Sequence, residues 1–190
     1  MEGNILLFLQ ENVRNDFLTP IMKVITSLGT GGIFWIILTL LLLCFSKTRK
    51  AGICAVLALL LSVILNNLIL KNLIARIRPY EVIESLERIV SKESEYSFPS
   101  GHAATAFAAV TAIAFYMPKK VWIPLLVLAV MIGFSRLYVG VHYPTDVLAG
   151  MVSGAVCGFA GVYLEKKLLL EEKIAKVFQK HKNNKNSPSD

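Results

Sequence analysis

SRLYVGVHYPTD, Ser135 to Asp146, lies between the apolar runs VWIPLLVLAVMIGF (Val121–Phe134) and VLAGMVSGAVCGFAGVYL (Val147–Leu164). Both runs read as membrane-spanning helices, so Arg136, His142 and Asp146 sit at the edge of hydrocarbon. An ionisable group there costs on the order of 3 kcal/mol or more unless it pairs or lines a wet cavity. The stretch therefore reads as a functional site. The competing reading is a short polar turn between helices.

Composition decides the solvent. The chain of 190 residues is 55% hydrophobic and 17% charged, against about a quarter charged in soluble domains. Mean hydropathy is +0.59. An all-α integral membrane protein follows, with one embedded domain over residues 1–168 and a basic tail over 169–190. Cys44, Cys54 and Cys157 lie within apolar runs without CxxC spacing. They read as small buried hydrophobes, not as a disulfide framework or metal site.

Working outward from the opening stretch, about five spans are expected. MEGNILLFLQENVRNDFL lacks the basic start of a signal peptide and suits a short helix in the membrane interface. One span covers about residues 22–45, bent or broken by GTGG at Gly29–Gly32. A second, Ala51–Leu70, turns Asn66 and Asn67 towards the bundle and continues through KNLIARIRP to Pro79. Tyr80–Phe98 is polar, and Val82, Leu86 and Ile89 recur at near-helical spacing, so it is either an amphipathic lid or a solvated loop. The third span follows PSGH, the fourth is Val121–Phe134, and the fifth starts near Pro144 and ends near Leu164. The tail begins amphipathic and ends as a disordered basic stub.

Five spans put loops on alternating sides. Lys47, Arg49 and Lys50, then Lys119 and Lys120, then the tail lysines from Lys166 to Lys185 share one side. The excess of basic residues there places the tail in the cytoplasm and the N-terminus outside. The net charge of +7 is thus mostly topology, and a nucleic-acid partner is set aside. Three polar clusters, Lys71–Pro79, Pro99–His102 and Ser135–Asp146, all fall on the outer side.

Lys71 and Arg78, two helical turns apart, would project from one face and suit a phosphate, the lysine as a point charge and the arginine as a fork. Arg76, round the helix, reads as a snorkelling or structural cation. In PSGH, Ser100 can cap the next helix, Gly101 admits a ligand to the backbone, and His102 sits in the first turn, where free N–H groups favour anions. Pro144 suits the first position of a helix, leaving His142 just before it and Asp146 in its first turn. The carboxylate can then hold one imidazole nitrogen and make the other a better nucleophile. Arg136 can neutralise a phosphoryl oxygen.

Together, Lys71-x6-Arg78-Pro79, Pro99-Ser100-Gly101-His102 and Ser135-Arg136-x5-His142-x3-Asp146 resemble the three-part signature of the type 2 phosphatidic acid phosphatase family, complete and in order. The vanadium haloperoxidases share that family's phosphate-site fold. The resemblance implies a helical bundle that hydrolyses a lipid phosphate or diphosphate without a metal or other cofactor. It implies His142 as nucleophile, Asp146 as its orienting acid and His102 as general acid and base. Lys71, Arg78, Arg136, Ser100 and Gly101 would hold the phosphoryl oxygens. The expected partners are the bilayer and a lipid phosphate, with undecaprenyl diphosphate favoured slightly over phosphatidylglycerophosphate or phosphatidate. A lipid phosphotransferase and a non-catalytic lipid-binding protein are the alternatives. Oligomeric state is not encoded in any of these motifs.

Overall fold

The computed structural model describes the backbone of residues 1–185 and the side chains of residues 1–168. Its helices are α1 (Glu2–Asn12), α2 (Leu18–Leu28), α3 (Ile33–Cys44), α4 (Arg49–Ser62), α5 (Lys71–Ile74), α6 (Pro79–Val82), α7 (Gly101–Ala114), α8 (Lys119–Tyr138) and α9 (Pro144–Lys185). A π-helical segment, Val63–Leu70, joins α4 to α5, and a 3-10 turn, Thr30–Gly32, joins α2 to α3. No strand occurs among the described residues. Helices suit these sequences because each satisfies its own backbone polar groups where water is absent.

Three stretches are long and apolar enough to cross a membrane: Arg49–Val82, Lys119–Tyr138 and Pro144–Leu168. The α2 and α3 helices qualify together, bent by 48°. The bend falls in the expected place, where Gly31 and Gly32 take φ values of 58° and 67°, a region costly for other residues. The third expected span, α7, is apolar but only 14 residues long. The α9 backbone stays helical past residue 168, while the end of the tail, residues 186–190, lies outside the described residues together with every side chain beyond Leu168.

The centre of the bundle is α7, whose Ala103, Ala104, Ala106, Ala108, Ala109 and Ala112 have no exposed surface. Gly150, Gly154 and Gly158 run down one face of α9 at four-residue intervals and let it lie directly on that alanine surface. A Cβ at Gly150 would come 2.5 Å from the Ser100 carbonyl, and one at Gly154 would collide with the Ala104 carbonyl. Gly161 continues the stripe onto α4, where a Cβ would lie 2.7 Å from the Cys54 carbonyl. Lipid tails are as apolar as leucine, so close contact between small residues carries much of the association. Asn66 is buried as expected, accepting from Ser153 Oγ at 2.6 Å and donating to the Ser62 carbonyl at 3.0 Å. Cys54 and Cys157 are buried, but Cys44 is exposed at the end of α3.

Two expectations about local structure need correction, and one open choice is decided. The α5 helix stops at Ile74 and does not run to Pro79. Ala75 takes φ 47°, and the Arg76 carbonyl turns outward to accept from Ser97 N at 2.8 Å. Arg78 is extended, as suits a residue before proline. Lys71 and Arg78 therefore do not share a helical stripe. Of the two readings of the polar segment, the loop holds after Val82. It is an irregular loop, pinned where Leu86 is buried and where Ile89 N donates to the Val139 carbonyl. Ser100 occupies the N-cap position of α7, but its hydroxyl makes no capping bond.

The α1 helix clasps the outside of this end of the bundle. Leu6 is fully buried, and Glu2 accepts from Arg76 Nη2 at 2.6 Å and from Thr145 N at 2.9 Å. At its other end Arg14 donates to the Tyr138 and Glu87 carbonyls, at 2.8 and 2.7 Å.

Replacing Gly154 by valine should separate α7 from α9 and destabilise the protein by about 1–3 kcal/mol, seen as a lower melting temperature in detergent. Val152→Leu, on a lipid-facing position of the same helix, should leave melting unchanged. Equal melting of the two variants would refute the packing argument.

Candidate active site

At the N-terminal end of α7, the three polar clusters converge. Asp146, in the first turn of α9, has no exposed surface. Its Oδ1 accepts from Arg76 Nη1 at 2.7 Å, and its Oδ2 accepts from Tyr143 N at 2.9 Å and from Ser97 Oγ at 2.5 Å. Its backbone carbonyl accepts from Ser100 N at 3.0 Å. Arg76 thus acts as a structural cation, and its guanidinium also lies 3.8 Å above the centre of the Tyr143 ring.

His142 lies between this carboxylate and a cation. Its Nδ1 is 3.6 Å from Asp146 Oδ2, slightly too far for a direct hydrogen bond, and 3.4 Å from Ser97 Oγ. Since Ser97 donates to Asp146, its remaining lone pairs face the imidazole N–H, and the serine completes the link. The opposite nitrogen, Nε2, is 3.4 Å from Arg78 Nη1. Burial, aided by the charges of Arg136 and Arg78, outweighs Asp146 and pushes the His142 pKa down to about 4. The imidazole is therefore neutral near pH 7.

A cavity of about 200 Å³ is lined by His142, His102, Lys71, Gly101 and Asn67, with Gly29, Gly31 and Gly32 of the bent joint forming part of its wall. Gly29 permits that wall: a Cβ there would stand 2.5 Å from His102 Cδ2. His102 Nε2 and Ser100 Oγ are buried with no hydrogen-bond partner. The first turn of α7 also has backbone N–H groups with no acceptor inside the helix. Along the cavity, His102 Nε2 and the backbone N–H groups of the first turn of α7 thus have no acceptor among the described residues, as an anion site requires.

Arg78 and Arg136 are each about 2% exposed. Arg78 is aimed by the carbonyls of Glu95, Val141 and Tyr96, at 2.8, 3.0 and 3.3 Å, and Arg136 by Thr26 Oγ1 at 2.7 Å. Of the eight residues singled out in the motifs, all lie in this region. Lys71, Gly101, His102 and His142 line the small cavity, and Arg136 lines an adjoining one of about 470 Å³ with His102.

Sequence reasoning passed over Ser97, Glu93 and Glu95. Glu93 bridges Arg78 and Arg136, and Glu95 pairs with Lys71. Burial alone would raise the Glu93 carboxyl, but Arg136 and Arg78 hold it down at about 2. Acidic residues in a polar loop carry no signal that separates them from a solvated surface. Ser97 offered one weak signal, its position just before PSGH.

Fold and site together define a multi-pass membrane protein with a cation-rich, two-histidine cavity at one end of its helical bundle. The model of the PAP2 superfamily matches residues 51–169, and the chain belongs to that family. It is 37% identical over 131 residues to an undecaprenyl-diphosphatase of Sulfolobus acidocaldarius, covering 69% of this chain and 63% of that one. It is 32% identical over 150 residues to undecaprenyl-diphosphatase BcrC of Bacillus subtilis, covering 77% of this chain and 74% of that one. The crystal structure of a phosphatidylglycerolphosphate phosphatase from Bacillus subtilis superimposes with a TM-score of 0.72 at 30% identity, covering 87% of this chain and 85% of that one.

Arg76→Ala should leave one oxygen of a buried carboxylate unmatched and cost about 1–3 kcal/mol, read as lower thermal stability in detergent. Arg76→Lys should recover part of the loss. A melting temperature unchanged in Arg76→Ala would show that Asp146 does not depend on this contact.

Proposed function

We propose that the chain is a lipid phosphatase that works through a phosphohistidine. The observation that carries the reading is the pairing of two histidines in one small cavity, one of them neutral with its Nε2 beside an arginine. His142 Nε2 attacks phosphorus and forms an N–P bond, while the bond to the leaving oxygen breaks and His102 supplies the proton to that oxygen. His102 then takes a proton from water, which attacks the phosphohistidine and releases inorganic phosphate and free His142. Asp146, through Ser97, keeps the Nδ1 proton in place and offsets the positive charge that develops on the ring. Lys71, Arg78 and Arg136, with the α7 N-terminus and Ser100 Oγ, hold the equatorial oxygens. Phosphoryl transfer depends mainly on such positioning and charge stabilisation.

The substrate is an amphiphile whose phosphate lies at headgroup level. Undecaprenyl diphosphate is the first choice, supported by the two similar undecaprenyl-diphosphatases. Phosphatidylglycerophosphate is the second, supported by the similar Bacillus structure. The site faces away from the cytoplasm and the basic tail, residues 169–190, lies within it, a reading supported by the distribution of Lys and Arg. The reaction needs no metal.

Phosphate release from a panel of lipid mono- and diphosphates in detergent tests the reading, with chelator present throughout. Release should survive chelation, and loss of activity on adding chelator would sink the metal-free scheme. His142→Ala should fold normally and turn over at a rate reduced on the order of 10³-fold or more. Near-normal multiple turnover by that variant would eliminate the phosphohistidine. Because His142 reacts only when neutral, the acid limb of kcat/KM should fall as pH drops through about 4, while the basic limb reports the proton that His102 must carry. An acid limb centred near the ordinary histidine value of about 6.5 would contradict the buried, cation-flanked nucleophile.

A further inference from the structure

Each of the three cations assigned to the phosphate already has an anionic partner. Glu93 places one carboxylate across both Arg78 and Arg136, and Glu95 meets Lys71. The two carboxylates come from one short segment and enter the same place that a phosphate dianion would fill. Glu93 and Glu95 both line the small cavity with the two histidines, and both also line the adjoining larger one. They form part of the boundary between the two spaces.

The backbone of that segment is weakly held. Ile89 N bonds to the Val139 carbonyl and Ser97 N to the Arg76 carbonyl, but between them no backbone N–H from Val90 to Tyr96 donates to another backbone carbonyl among the described residues. The seven residues form a strap fixed at both ends. Its middle is held by the two carboxylates, by Lys92 on Glu81, and by bonds from Arg78 and Tyr80 to its carbonyls. Behind it, the cavity of about 470 Å³ lined by Lys23, Thr26, Ser27 and Thr30 offers room for the strap to retreat.

We propose that Glu93 and Glu95 are an internal mimic of the substrate phosphate, and that the strap Val90–Tyr96 is a plug which an incoming lipid phosphate must displace. The proposal rests on reading Lys71, Arg78 and Arg136 as the phosphate grip. Two arginines and a lysine with no counter-ion would repel one another in a low-dielectric site, and the plug keeps them charged, aimed and partnered while the site is empty. The exchange of two carboxylates for one phosphate changes little in net charge. Affinity for phosphate is then reduced by the fraction of time the strap is closed. Product phosphate meets the same competitor, which favours its release.

Inorganic phosphate binding to the purified full chain in detergent, followed by titration calorimetry, tests this. Glu93→Gln should tighten phosphate binding by roughly tenfold, as for a plug closed about nine-tenths of the time. Glu93→Gln/Glu95→Gln should tighten it further, and Glu84→Gln, at an exposed acid outside both the strap and the cation cluster, should match the wild type. Melting curves supply a second reading. Without phosphate Glu93→Gln should melt below the wild type, and added phosphate should raise its melting temperature more than that of the wild type. If Glu93→Gln does not fold, Glu95→Gln alone must show tighter binding through Lys71. Equal or weaker phosphate binding in the folded variants overturns the plug and leaves the phosphatase reading standing. Absence of phosphate binding in every form overturns both the plug and the phosphate grip. Tighter binding in the variants, with no lipid phosphate hydrolysed by the wild type, upholds the plug and removes the proposed activity.

Discussion

A carboxylate with no exposed surface must find a donor for each oxygen, and the donors around Asp146 come from several separate pieces of chain. Arg76 follows the break after α5, Ser97 ends the long loop, and Tyr143 belongs to the turn before α9. The backbone carbonyl of the same residue takes Ser100 N from the start of α7. Unmatched, these groups would each cost about 1–3 kcal/mol, so the carboxylate sets the relative positions of four segments. His142 inherits its orientation from that arrangement. The salt bridge from Arg76 to Glu2 then carries the same constraint out to α1.

Beneath this polar knot, the bundle supplies rigidity with small residues. The alanine surface of α7 and the glycine stripe of α9 bring two backbones close enough that neither can slide without a collision. The start of α7 and the first turn of α9 carry His102 and Asp146, so helix packing fixes the two ends against each other. Sites mounted on packed helices hold geometry better than sites mounted on loops. The turn that carries His142 is short and tied at both ends, by Val141 N to the Arg136 carbonyl and by Asp146 N to the Tyr143 carbonyl.

Much of this is legible in the residues. Long apolar runs announce the spans, GTGG announces the joint, and Pro144 announces the start of α9 with Asp146 in its first turn. Burial in hydrocarbon makes Arg136, His142 and Asp146 conspicuous because their cost there is so high. What is not legible depends on distant contacts. The periodicity of KNLIARIRP continues smoothly, and only the bond from Ser97 to the Arg76 carbonyl shows why the helix ends at Ile74. Glu93 and Glu95 look like ordinary loop acids until Arg78, Arg136 and Lys71 are placed beside them. Ser100 suits a helix cap in sequence, yet its hydroxyl is buried without making the cap bond.

The shortness of α7 has a consequence for the site it carries. Fourteen residues at about 1.5 Å each reach about 21 Å, whereas the hydrocarbon layer is about 30 Å thick. Alone, α7 is thus too short to cross that layer, and its histidine end is held in place by its neighbours. A phosphate that reaches the paired histidines must shed part of its water, because Lys71, Arg136 and the joint between α2 and α3 enclose that end of the helix. Enclosure of this kind makes the ease of dehydrating a headgroup part of what such a site weighs.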